Sequence, residues 1–227
     1  MTSRICVSIM PKSHNEALSL IKQAEEAKAS LIEVRLDCLE TSQNLRELVK
    51  ITEIPLIATN KLKSEGGFFV GSETQRLQTI VNATEAGFEY FDIDLTSPKN
   101  KETINKLKQS GAKPIVSFHN YERALRVSEM ERILEQEIAN DADVCKIVGT
   151  AKTVEDNLAV LNFVASNSEK AKLVSFCMGE SGKVSRLLSP LFGAFFTFAS
   201  LEQRAETAEG QMSIREMQVA YNLLGAK

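Results

Sequence analysis

Three features of the chain predict an α/β fold, a (β/α)8 barrel of the TIM type in a single domain. Short apolar runs recur eight times. They alternate with stretches of helical period. No linker, low-complexity stretch or charge block divides the 227 residues. Alternating strands and helices imply a parallel sheet flanked by helices, and closed barrels of about this size form one domain. The domain is expected over 1–227. A doubly wound sheet is the alternative, but the first strand is followed by no Gly-rich phosphate turn.

Taken in order, the first strand is predicted at 5–9. The first helix follows at 16–29, where Ala17, Leu18, Leu20, Ile21, Ala24 and Ala27 recur at helical spacing. A second strand lies at 31–36. A third, at 55–59, opens on Pro55, where a missing backbone donor does least harm. The helical stretch 73–87 carries Leu77, Ile80, Val81 and Ala83 and closes on Gly87, a C-cap residue. Strand four, at 90–95, leads to a helix at 97–111 with Pro98 near its start and Gly111 past its end. Strand five, at 114–118, leads to a helix at 127–140. Strand six, at 144–148, leads to one at 153–166. Strand seven, at 172–176, leads to one at 181–189. The eighth strand, at 194–198, and a helix at 213–224 complete the pattern.

Composition narrows the function classes. Hydrophobic residues make up 43%, enough for a large core, and 25% charged residues is ordinary for a globular domain. A net charge of −3 offers no electrostatic footprint for nucleic acid. No segment approaches a membrane span, and the apolar run within 1–11 is too short for a secretory signal. A cytoplasmic location is therefore expected. Cys6, Cys38, Cys145 and Cys177 form no CxxC pair and fit no zinc spacing. They read as small apolar side chains in a reducing compartment.

Lys146 is the most informative residue. It stands inside an apolar run between two helical stretches, which reads as a strand buried on both faces. Burial disfavours the charged form and so frees the amine to attack a carbonyl as a Schiff-base lysine. The position equally suits a lysine that snorkels from the strand end or pairs with a carboxylate. Lys146 alone does not separate the two.

A barrel carries its chemistry at the C-terminal ends of its strands. Alternation along 33–37 puts Glu33, Arg35 and Asp37 on one face, inward if Ile32, Val34 and Leu36 pack on helices. Such charges either bind a ligand or form an ion-paired plug. A polar loop with Lys61, Glu65, Gly66 and Gly67 follows strand three. His119 ends strand five, whereas His14 opens the first helix as a surface residue. Strand seven runs into Met178-Gly179 and then Ser185-Arg186, and strand eight precedes Thr207 and Gly210-Gln211. Glu33, Arg35, His119, Lys146, Arg186 and Gln211 thus gather at one rim. An amine, an imidazole and carboxylate-binding arginines suit iminium chemistry on an oxo acid. No cluster supplies three metal ligands, so no metal is expected.

Six motifs carry a resemblance. Glu33-Val34-Arg35-Leu36-Asp37, Glu65-Gly66-Gly67, Ser117-Phe118-His119-Asn120-Tyr121, Lys146-Ile147, Met178-Gly179 with Ser185-Arg186, and Gly210-Gln211 resemble, in order, those of type I 3-dehydroquinate dehydratase. The resemblance runs nearly end to end. It implies a lyase that dehydrates 3-dehydroquinate to 3-dehydroshikimate, the third step of the shikimate pathway, through a lysine Schiff base and without a cofactor. Lys146 would attack the C3 ketone, and His119 would serve as general acid and base. Glu65 would assist His119 or the substrate hydroxyls. Arg186 would hold the substrate carboxylate by a bidentate fork. Glu33 and Arg35 would bind ring hydroxyls, Thr207 and Gln211 would close the site, and Met178 beside Phe176 would form an apolar wall. Ser8 and Lys61 complete the implied substrate contacts. A homodimer is implied as well.

The chain departs from the family pattern in places. Lys61 stands where an arginine is frequent, Asn120 where an aspartate is common, and Thr207 where a serine is frequent. Many members begin with a hairpin that plugs the barrel floor, and here it is expected to be absent or reduced. Two rival readings stand beside the dehydratase. A class I aldolase shares the strand-six lysine but leaves His119, Arg186 and Gln211 together unexplained. A non-catalytic barrel that binds a carboxylate predicts binding without an imine.

Overall fold

The apolar runs form eight parallel strands: β1 (Ile5–Ile9), β2 (Leu31–Arg35), β3 (Leu56–Thr59), β4 (Tyr90–Asp94), β5 (Lys113–His119), β6 (Val144–Thr150), β7 (Leu173–Met178) and β8 (Thr197–Ala199). Their order is β7-β6-β5-β4-β3-β2-β1-β8. The two ends of this sheet meet where the Phe195 N–H donates to the Leu173 carbonyl at 2.7 Å. The result is a nearly closed (β/α)8 barrel. Around it run α1 (His14–Glu26), α2 (Leu45–Lys50), α3 (Glu73–Ala86), α4 (Asn100–Lys108), α5 (Val127–Ala139), α6 (Asp156–Asn167), α7 (Lys183–Leu188) and α8 (Ile214–Leu223). This computed structural model describes residues 3–40, 44–98, 100–202 and 206–226. Of the domain expected over 1–227, residues 1, 2, 41–43, 99, 203–205 and 227 lie outside the described residues.

Local chemistry explains the element ends. Ser72 and Gln75 form a capping box at the start of α3, and Gly87, at φ 112°, ends it in the left-handed conformation. Ser213 and Glu216 cap α8 in the same way. Outward residues of β2, Ile32 and Val34, pack with Ala17 and Ile21 of α1 and Leu48 of α2 in the layer between strands and helices.

Several boundaries differ from the sequence expectation. The segment α2 has only Leu45 and Leu48 buried among its six residues, too few to display a period. Strands β6 and β7 extend to Thr150 and Met178. The eighth strand was expected at 194–198, but only Thr197–Ala199 pairs with β1, through Ile5↔Thr197 and Val7↔Ala199. Residues just before it serve the turn and the seam instead: the Ala194 N–H closes on Ser189, and Phe195 bonds β7. Asp37 was placed on the β2 face by alternation. The strand stops at Arg35, and Leu36–Cys38 turns as a 3-10 helix.

The barrel interior is layered, because every second residue of each strand points inward. The floor is apolar: Cys6, Leu31, Ile57, Tyr90, Ile115, Val144, Val174 and Phe196 pack in one cluster. Two residues further along each strand come Ser8, Glu33, Thr59, Asp92, Ser117, Lys146, Phe176 and Phe198. The polar members of this layer are all buried. Two residues further again lie Arg35, Lys61, Asp94, His119, Val148 and Met178. Charge therefore enters the barrel only above a sealed apolar floor.

Candidate active site

Lys146 lies on β6 with 6% exposure. Its Nζ donates to Asp92 Oδ2 at 3.0 Å and stands 3.9 Å from Glu33 Oε1. The Phe198 ring centre is 4.4 Å from Nζ, a cation–π contact. The lysine therefore does not snorkel out. It is held inside the barrel by a carboxylate, the costly arrangement that only pairing sustains.

Asp92 is shared. Its Oδ1 lies 2.7 Å from Lys61 Nζ and accepts from Ser117 Oγ at 2.8 Å. Burial by itself raises the Asp92 carboxyl, but the Lys146 and Lys61 ammonium groups overcome it and hold the carboxyl far below the usual range. Lys61 was expected as a substrate contact from the loop after β3. In the structure its amine meets protein groups. Lys61 is buried and bonded to Asp92, Asp94 and Ser117, three oxygen partners for its three hydrogens. Those two carboxylates raise its pKa against the burial that would lower it.

Glu33 lines the same space, whereas Arg35, at the end of β2, is not among the residues lining it. Glu33 accepts from Ser8 Oγ and, at 2.8 Å, from Thr59 Oγ1. Ser8, expected to touch substrate, thus spends its hydrogen on Glu33. Arg35 is gripped by both oxygens of Asp37, at 2.9 and 2.6 Å. Asp37 also accepts the Phe68 N–H at 2.9 Å, which ties the end of β2 to the loop carrying Glu65. Gly67 makes that loop's tight return possible, since a Cβ there would sit 2.1 Å from the Lys61 carbonyl oxygen.

His119 ends β5 and stacks on Tyr121, with ring centroids 5.9 Å apart. Burial pushes the imidazole well below its ordinary pKa, and the Lys61 and Lys146 ammonium groups add to the effect. The ring is therefore neutral and able to accept a proton at neutral pH. Glu65 reaches this ring only indirectly: its backbone carbonyl accepts from Tyr121 Oη at 2.7 Å, while its carboxylate accepts from Thr96 at 3.2 Å. Asn120 turns away and caps the following turn, accepting the N–H groups of Glu122 and Arg123.

Arg186 faces the other wall. The Ser185 N–H donates to Asn157 Oδ1 and the Cys177 N–H to Ser185 Oγ, both at 3.0 Å, which docks α7 on β7. Arg186 is buried to 1%, and burial lowers its pKa to about 9. Among the described residues its Nε and Nη2 have no hydrogen-bond partner. A buried cation with open, fork-shaped donors suits a carboxylate. Glu33, His119, Lys146, Met178, Arg186 and Gln211 all line one cavity of about 60 Å³. Thr207 joins them and is bonded to Gln211, whose Nε2 donates to Thr207 Oγ1 at 2.9 Å. An outer cleft of about 470 Å³ shares Thr207 and Gln211 with this cavity, so the segment after β8 forms the partition between them.

Sequence reasoning missed Asp92, Asp94, Thr59 and Ser117. A signal was present: Asp92 and Asp94 alternate with apolar residues on β4, the pattern recognised at Glu33 and Arg35.

Comparison with known proteins bears on the family and the fold. The pattern of the type I 3-dehydroquinase family matches residues 5–227. A 3-dehydroquinate dehydratase of Dehalococcoides mccartyi is 34% identical over 208 residues, covering 90% of this chain and 92% of the relative. The type I 3-dehydroquinate dehydratase of Clostridium difficile, solved with covalent modified comenic acid, superimposes with a TM-score of 0.89 at 25% identity, over 98% of this chain and 92% of that one. The 3-dehydroquinate dehydratase of Geobacillus kaustophilus shares the fold with a TM-score of 0.92 at 22% identity, over 99% and 92% of the two chains. This chain belongs to the type I 3-dehydroquinase family.

Proposed function

We propose that this protein dehydrates 3-dehydroquinate to 3-dehydroshikimate through an imine on Lys146. One observation carries the reading: a carboxylate-held amine and a buried arginine with open donors line the same cavity. In this mechanism the Lys146 nitrogen attacks the C3 carbonyl carbon and water leaves. The resulting iminium draws electrons from the ring and acidifies the C2 proton. Neutral His119 takes that proton. The enamine then expels the C1 hydroxyl, which leaves as water carrying the proton His119 returns. Hydrolysis of the imine frees the product and restores Lys146.

Arg186 anchors the substrate carboxylate in this reading, and Glu33 and Arg35 take ring hydroxyls. Phe176 and Met178 form the apolar wall. Glu65 acts at one remove, by steadying Tyr121 against His119, and Ser8 steadies Glu33. The inner cavity is smaller than the roughly 300 Å³ at the low end of ordinary ligand sites. Thr207 and Gln211 therefore swing out to admit substrate and close over it.

Mass spectrometry after borohydride reduction with 3-dehydroquinate tests the reading. A reduced adduct on Lys146 and a conjugated enone in solution are expected. Binding without an adduct would instead support a carboxylate-binding barrel, and two carbon fragments an aldolase.

The catalytic unit we infer is one domain over 1–227. We also infer a homodimer, for which Val219, Leu223 and Leu224 on and after α8 offer exposed apolar side chains. A mass near 25.1 kDa in light scattering would overturn it. The four cysteines are free and three are buried, which fits a reducing compartment such as the cytoplasm. No helix of the described residues is long and apolar enough to cross a membrane. Cell fractionation tests the location.

A further inference from the structure

Asp92 touches two amines at once, one on each oxygen. Oδ2 holds Lys146 at 3.0 Å, and Oδ1 meets Lys61 at 2.7 Å and Ser117 at 2.8 Å. Ser117 in turn accepts from Lys61 at 2.9 Å, and Lys61 also bonds Asp94. We propose that Asp92 is the positioning residue that holds the Lys146 nitrogen through imine formation, and that Lys61 braces Asp92 instead of binding substrate. The proposal rests on the reading that Lys146 forms the imine.

The charge balance motivates it. An ammonium and a ketone give an iminium and one water, so the positive charge stays on the nitrogen while its hydrogens fall from three to one. That single N–H needs one acceptor. Asp92 Oδ2 is within hydrogen-bond distance of Nζ, whereas Glu33 is 3.9 Å away and already accepts from Ser8 and Thr59. With 2% exposure and its second oxygen bound to groups at the end of β3 and on β5, Asp92 cannot follow the nitrogen elsewhere. It aims the remaining N–H, and thereby the plane of the iminium. Lys61 holds the other oxygen of the same carboxylate and so fixes the orientation in which Asp92 meets the amine.

Other charged and titratable groups surround Lys146. Glu33 and Arg35 face it from β2, Asp94 from β4 and His119 from β5, with Arg186 on α7 across the cavity. Cys6 lies below on β1, and buried Glu137 stands behind on α5. Among the described residues, Asp92 is the acceptor bonded to Nζ, and Lys61 is the second cation bonded to Asp92.

Borohydride trapping with 3-dehydroshikimate over a pH series, together with steady-state kinetics, tests the assignment. Asp92→Asn removes the counter-ion. The pH of half-maximal trapping should move down by about one unit or more. Its kcat should fall about tenfold to a hundredfold, with KM little changed. Lys61→Met leaves Asp92 to Lys146 alone and should move that pH upward, while Lys61→Arg keeps the brace and the wild-type profile. Opposite directions for Asp92→Asn and Lys61→Met support the proposal. The same direction for both, or a raised KM in Lys61→Met with an unmoved trapping profile, overturns it. If circular dichroism shows one variant unfolded, the direction of the other decides. Trapping in the wild type with identical profiles in all variants sinks this proposal alone, whereas no adduct in the wild type at any pH sinks the imine reading and this one with it.

Discussion

The Arg186 guanidinium carbon sits 4.2 Å from the centre of the Phe176 ring, while Nε and Nη2 of the same side chain have no hydrogen-bond partner among the described residues. The ring face offsets part of the cost of burying the cation, and its pKa still falls to about 9. Open donors on a planar guanidinium suit a carboxylate.

Arg186→Lys should therefore weaken substrate binding, because a point charge replaces the planar fork. Losing a charge-assisted hydrogen bond costs about 1.5–3 kcal/mol, or roughly ten- to a hundredfold in kcat/KM, and most of it should appear in KM. Arg186→Met should lose more activity yet melt no lower than the wild type, since it removes an unpaired buried charge. Steady-state kinetics and calorimetry check both, and an unchanged specificity constant in Arg186→Lys would make the residue structural.

Lys146→Ala should abolish the trapped adduct and nearly all turnover while the barrel still folds. Peptide mapping of the reduced wild-type protein locates the modified residue. An adduct on Lys61 or Lys172 would overturn the assignment of Lys146.

His119→Ala should accumulate the imine with product while turnover falls by a factor of about 10² or more. Intact mass without borohydride would show the added mass less water. Because burial and two ammonium groups lower the imidazole pKa, the acid limb of the wild-type kcat/KM profile should lie below the ordinary histidine range. A limb at or above about 6.5 would contradict that environment.

Acid should destabilise the protein in two stages. His119 titrates lower in the folded than in the unfolded chain, so the unfolded state binds more protons below about pH 6.5 and stability drops as pH falls through that value. Asp92 is also depressed in the folded state. Its contribution is complete above about pH 4 and is lost as pH falls towards its folded value. Urea midpoints measured from pH 8 to pH 3 should show both stages, and His119→Gln should remove the first. A wild-type midpoint that stays constant between pH 7 and pH 5 would count against the buried, neutral imidazole.

Gly210 sits at φ +73°, and a Cβ there would lie 2.1 Å from the Gly179 carbonyl oxygen. Gly210→Ala must push the segment bearing Thr207 and Gln211 off the barrel mouth. A loss of kcat/KM of about tenfold or more is expected from such a displacement, with little change in melting temperature. Full activity in this variant would mean that the segment does not take part in closing the site.

The period of the fold and the inward-facing Glu33, Arg35 and Lys146 are legible in consecutive residues. Runs such as 144–148 and 172–176 are legible because a strand buried on both faces needs apolar residues throughout, so a lone Lys146 stands out. The same alternation marks Glu33 and Arg35. It runs out where a strand stops early, as at Asp37, and where an element is too short to show a period, as in α2. Which inward side chains meet depends on the register between strands. Asp92 and Lys146 are 54 residues apart on strands separated by β5, and their contact depends on the stagger of the closed sheet. Lys61 looks like a loop residue in the sequence, yet Asp92 and Asp94 on the neighbouring strand draw it into the barrel. Arg186 turns into the cavity because Ser185 and Asn157 dock a six-residue helix on β7. Periodicity is a property of one strand or helix and is written in consecutive residues. Partnership across a barrel is a property of register between elements, and no single stretch of chain contains it.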